Sequence, residues 1–94
     1  MKRKKTKERT IHGIIIPGEW DENGKVIGIA IETTDEEKYL VYKNNKGNEL
    51  LEFTQYKVEA TGTTRADEHG DMTIKVNRYH LTRGNNDEEE EAYA

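Results

Sequence analysis

The chain of 94 residues contains no cysteine and no serine, and only one proline, one phenylalanine and one tryptophan. Each shortage removes a class of explanation. Without cysteine there is no disulfide and no thiolate metal site. Without cysteine or serine, two common nucleophiles are missing. No G-x-S-x-G, P-loop, dinucleotide-binding glycine pattern or H-E-x-x-H stands in the sequence either. Threonine is plentiful, but nothing marks a base beside one. Carboxylates are abundant, yet a paired-carboxylate mechanism needs an enclosing cleft, which a domain this small rarely provides. The expectation is a protein that is not an enzyme and uses no cofactor. Long apolar segments are also missing. Ile14 to Ile16 is too short for a signal h-region and Pro17 ends it. Neither a signal peptide nor a transmembrane helix is expected, which points to a soluble cytoplasmic protein with no membrane partner.

What is present is charge, and it is unevenly laid out. Met1 to Arg9, MKRKKTKER, carries a net +5; Gly84 to Ala94, GNNDEEEEAYA, carries a net −5. The segment between them is acidic, with a net −4. Neither end has an apolar face, so residues 1–9 are expected to be a disordered basic arm and residues 84–94 a disordered acidic tail. The folded domain is then 10–83. At that size a chain buries only roughly 60% of its unfolded surface, so its stability should be modest.

Between the ends, apolar residues alternate. Thr10 to Ile16 (TIHGIII) reads as a first strand, stopped by Pro17-Gly18. A loop, GEWDENG, carries Trp20 and the turn signal Asn23-Gly24. Lys25 to Thr33 reads as a second strand. Ile27, Ile29 and Ile31 form one face; the small residues Val26, Gly28 and Ala30 form the other. That asymmetry suits a curved barrel, with Gly28 allowing the bend. Lys38 to Lys43 reads as a third strand, on which Tyr39 and Tyr42 have opposite parity. In NNKGNELLEFTQ, a short helix beginning near Gly47 and Asn48 would be stable only if Leu50, Leu51 and Phe53 pack against other elements.

The stretch VEATGTTRADEHGDMTIKVNRYHL reads as a hairpin of strands four (Tyr56 to Arg65) and five (Met72 to Leu81). Val58, Ala60 and Gly62 face Met72, Ile74 and Val76, and Gly70 takes a positive φ in the turn. Continued parity would turn Arg78 and His80 inward. A β-bulge near Asn77 or Arg78 restores apolar residues to the core.

The order strand, strand, strand, short helix, strand, strand from Thr10 to Leu81 resembles that of small bacterial OB-fold domains. The run KGNELLEFTQYKVEATGTTRADEHGDMTIKVNRYHL carries most of the resemblance. An SH3-like barrel usually lacks a helix before its fourth strand, so NELLEF favours the OB order. The expected fold is all-β: a five-stranded antiparallel OB-fold-like barrel with one short helix between strands three and four. Some strand edges, on strands one, three and five, would stay open.

The resemblance implies a binding face on strands two and three, flanked by the loops between strands one and two and between strands four and five. Nucleic-acid-binding OB-folds use exposed aromatics for base stacking and basic side chains for phosphate. Here Trp20, Tyr39 and Tyr42 supply the rings; Lys25, Lys43, Arg65 and Lys75 supply the charge. Lys4 and Lys5 in the basic arm are further phosphate candidates. Single-stranded DNA or RNA is therefore one expected partner. The acidic barrel disfavours phosphate, so a protein–protein or structural accessory module is the alternative. His69 in DEHGD is surrounded by carboxylates, but the turn supplies no supporting shell, and no metal site is expected. His12 and His80 read as ordinary cross-strand neighbours.

Overall fold

A computed structural model of the chain describes residues 7–82. It contains β1 (Lys7–Trp20), β2 (Val26–Thr33), β3 (Lys38–Val41), α1 (Asn45–Glu49), a 3-10 turn (Leu50–Phe53), β4 (Lys57–Ala66) and β5 (Met72–Leu81). The strands close into a barrel in the order β1-β2-β3-β5-β4. Four of the five seams are antiparallel. The fifth, β3 with β5, is parallel and short, pairing Tyr39 with Met72, Leu40 with Thr73 and Val41 with Ile74. The sheet is thus mixed, mostly antiparallel, and the architecture is OB-like.

The interior is filled by one face of each strand. Ile11 and Ile15 of β1 meet Ile29 and Ile31 of β2, Tyr39 and Val41 of β3, Val58 and Ala60 of β4, and Ile74 and Val76 of β5. Leu50, fully buried, is the plug from the helical segment. Its burial alone contributes roughly 1.5–3 kcal/mol. Leu51 and Phe53 pack against the same cluster from its margin. The helix starts two residues before the expected point because Asn44 caps it, accepting from Gly47 N at 2.8 Å. The same side chain donates to the Val76 carbonyl at 3.2 Å and fastens the cap to β5. At the other end of α1, Tyr79 donates to Glu49 at 2.7 Å.

The expected end of the first strand at Pro17 is wrong: β1 runs on to Trp20. Ile15 exchanges backbone hydrogen bonds with Gln55 and Tyr56. Pro17, two residues on, faces the same side, beyond the last β4 partner of β1. Its missing N–H therefore falls where no ladder continues. The register toward β2 slips at Gly18, between the pairs Pro17–Ile29 and Glu19–Gly28. Trp20 consequently ends a strand instead of sitting in a loop. At its other end β1 includes Lys7, Glu8 and Arg9, which the sequence reading had placed in the basic arm. The rest of that arm and the whole acidic tail lie outside the described residues.

Barrel closure also corrects the reading of the edges. Strands β3 and β5 are joined, so neither is a free edge of an open sheet. The bulge falls as expected: Thr61 pairs with Arg78 and Gly62 with Val76, leaving Asn77 as the extra residue. Gly28 is not the residue that lets the barrel bend. A Cβ there would meet only the Glu19 side chain, whereas one at Gly62 would fall onto the Lys75 carbonyl oxygen and one at Gly13 onto that of Glu32. The backbone approaches that require glycine are at β4–β5 and β1–β2.

Three hairpin turns share one design. In the first, Asp21 Oδ1 accepts from Lys25 N at 2.9 Å, Gly24 N donates to Asp21 O, and Gly24 has φ +84°. In the third, Asp67 Oδ1 accepts from Asp71 N at 2.9 Å, Gly70 N donates to Asp67 O, and Gly70 has φ +86°. The second puts Thr33 in the aspartate's place, with Glu37 N donating to Thr33 Oγ1 at 3.0 Å. It puts Glu36, φ +68°, in the glycine's place. These are three-residue loops whose last residue is left-handed.

Candidate nucleic-acid interface

The outward faces of β3, β5 and β4 form the candidate surface. Tyr42 follows directly on β3, held by its N–H donating to the Ile74 carbonyl at 2.9 Å. Tyr39 and Val41 point into the core, so alternation turns Tyr42 outward, where it is 56% exposed. On β5 the inward residues Ile74 and Val76 leave Thr73 and Lys75 outside. Lys75 Nζ lies 5.7 Å from the centre of the Tyr42 ring, within cation–π range. On β4, Thr63 pairs with Lys75 and Arg65 with Thr73. Tyr42, Thr63, Arg65, Thr73 and Lys75 line one groove of about 760 Å³, whose far wall is Asp67 and Glu68 from the third turn.

The charges of this groove balance: Arg65 and Lys75 against Asp67 and Glu68. Asp67 is partly committed, because the backbone N–H groups of Asp71 and His69 hold its carboxylate and lower its pKa below the ordinary value. Glu68 is the carboxylate with no such role in the turn hydrogen bonds.

The other expected site residues are scattered. Tyr39 is 2% exposed, so its ring offers no face to a base. Its hydroxyl accepts from Arg9 at 3.2 Å and donates to Glu37 at 3.2 Å, closing the end of the barrel. Lys43 is turned away from the groove and bonds Glu19 at 2.9 Å. Trp20 is 55% exposed but sits at the end of β1, and Lys25 lies in the first turn; neither lines the groove. Lys4 and Lys5 lie outside the described residues.

The resemblance pointed to strands two and three, and β2 contributes little here. Glu19 lies over Gly28, and Ala30, between Ile16 and Leu40 on neighbouring strands, is fully covered. The exposed ring therefore works with β5 and β4 rather than β2. Thr63 and Thr73 were missed by the sequence reading. The signal for them was parity: each lies on the outward face of its strand, in register with Lys75 or Arg65.

His12 faces Glu59 across the β1–β4 seam, and Glu59 faces His80 across β4–β5. Among the described residues no group of three or more His, Asp or Glu could hold a metal ion. Among them, too, no helix is long and apolar enough to cross a membrane. Comparison with protein-family models, with curated proteins and with solved structures gives no significant match.

Proposed function

We propose that this barrel is a binding module for single-stranded nucleic acid, with Tyr42 as its stacking platform. The observation that carries the reading is the exposed Tyr42 ring, flanked by Lys75 and sharing a groove with Arg65. A base that stacks on the ring takes the place of the Lys75 ammonium or shares the ring with it, and leaves that cation beside the sugar–phosphate chain. Thr63 and Thr73 add hydroxyls that hydrogen-bond phosphate or base edges without regard to sequence. Base–aromatic stacking is worth ~1–3 kcal/mol, and it tolerates any base because every base has a flat π-face. Because the groove's charges balance, a short strand should bind modestly, and mostly through stacking.

Fluorescence anisotropy of labelled single-stranded DNA and RNA tests this. Tyr42→Ala should weaken binding by roughly 5- to 150-fold, the equivalent of ~1–3 kcal/mol. Its melting temperature should stay within error, because the side chain is exposed. An intact chain that binds no oligonucleotide even at low salt overturns the reading. A protein-interaction module is then the alternative.

A further inference from the structure

We infer that the basic segment preceding β1 and the Tyr42 groove form one continuous path, so that the partner is a strand long enough to occupy both. The inference rests on the reading of the groove as a nucleic-acid site. Strand register is its first support. Glu8 pairs with Thr63 and Lys7 with Thr64, the residue next to Arg65. Since Thr63 and Arg65 line the groove, the chain enters the barrel at the groove's own rim. The residues before it include Lys2, Arg3, Lys4 and Lys5. Four cations therefore precede the strand that borders the site.

The second support is charge. Two cations and two carboxylates leave the groove with no net attraction for phosphate, while the segment supplies attraction without rings. Each lacks what the other has. The acidic segment is placed elsewhere. Thr82 N donates to the Lys57 carbonyl, at the opposite end of β4 from Thr64. Seven residues of strand at ~3.3 Å each separate those points by about 23 Å. The carboxylate run thus leaves the barrel at the far end, and the cations enter beside the groove.

The test uses the full chain and a variant in which Lys2, Arg3, Lys4 and Lys5 are all changed to glutamine. The probes are fluorescein-labelled oligothymidylates of about 4 and about 20 nucleotides, bracketing the site sizes of such barrels. With the long probe, the variant should lose affinity, and its salt dependence should flatten. Single strands give a slope near −0.7 per phosphate contact, so losing four contacts reduces it by about 3. With the short probe, intact chain and variant should bind alike. Combining the variant with Tyr42→Ala should multiply the two fold-losses on the long probe, because one strand then loses both contacts. Unchanged salt dependence on the long probe, with the short probe still bound, overturns this inference and spares the groove reading. So do fold-losses that fail to multiply, with Tyr42→Ala still weakening the short probe. If Tyr42→Ala changes nothing and the glutamine variant loses both probes, the segment binds by itself and both readings fall.

Discussion

Glu36→Gly should stabilise this protein, although it removes a side chain and adds none. Glu36 holds φ +68° at the position where the other two hairpins have Gly24 at +84° and Gly70 at +86°. An L-residue there sets its Cβ close to the following carbonyl oxygen, at a cost of roughly 1–2 kcal/mol. Glycine removes that strain but gives the unfolded chain more freedom, which returns about 0.4–1 kcal/mol. The net gain should be about 0.5–1 kcal/mol, or roughly 3–6 °C in melting temperature for a domain of this size. Thermal and urea unfolding, followed by circular dichroism, measure it. Two controls isolate the cause. Glu36→Gln removes the charge from the acidic run Asp35 to Glu37 but keeps the strain, so it should shift stability by less than about 0.5 kcal/mol. Gly24→Ala and Gly70→Ala should each destabilise by about 1 kcal/mol. A Cβ at either meets nothing within 4 Å, so that cost would be purely conformational. If Glu36→Gln stabilises as much as Glu36→Gly, relief of charge repulsion and not of backbone strain is the cause, and the reasoning is refuted.

Gly62→Ala should cost about 1–3 kcal/mol, because its Cβ would fall onto the Lys75 backbone. Gly28→Ala, which meets only a flexible Glu19 side chain, should cost less than about 1 kcal/mol in a urea-midpoint comparison; equal losses would refute the assignment of the closure point. Tyr79 has its pKa raised above the ordinary phenol value, first by its hydrogen bond to Glu49 and then by burial. A raised folded pKa means that the interaction contributes stability below the unfolded value near ~10 and loses it as pH climbs through the folded pKa. In a tyrosinate absorbance titration, with Tyr79→Phe subtracted as background, Glu49→Gln should move this ionisation down toward the ordinary value.

The hairpin of β4 and β5 was the most legible part of the sequence, because both strands alternate cleanly and the failure of parity after Val76 is itself informative. Five strands and a helix of under three turns could be ordered from such local signals. The parallel seam between β3 and β5 could not, since it joins residues about thirty apart with three pairs and no turn between them. Pro17 misled for a related reason. Proline stops a strand only where its missing N–H would have been paired, and that depends on where β4 ends. Gly28 looked like the bend because it sits among isoleucines, but the need for glycine at Gly13 and Gly62 comes from carbonyls on neighbouring strands. At the candidate site, opposite parity of Tyr39 and Tyr42 was visible, and which ring was outside followed once Val41 was placed in the core. The partnership of Tyr42 with Lys75 was hidden, because it crosses the parallel seam.

The acidity of the domain, which weighed against nucleic acid in the sequence, acts differently once its positions are known. Asp21 and Asp67 hold turn N–H groups, Glu19 is paired with Lys43, and Asp35 to Glu37 belong to the β2–β3 turn. Much of the negative charge is thus spent at the barrel's ends and in local contacts. Fields of exposed charges decay over ~8 Å at physiological ionic strength, so a strand lying against Tyr42 and Lys75 senses mainly the groove. Glu68 is the acidic side chain that remains close with no turn hydrogen bond. The net charge of −4 acts at longer range: it slows the encounter with a polyanion more than it weakens the bound state. A basic segment at the rim opposes that penalty at the distance where it operates, which is why the groove and the segment make physical sense together and neither does so alone.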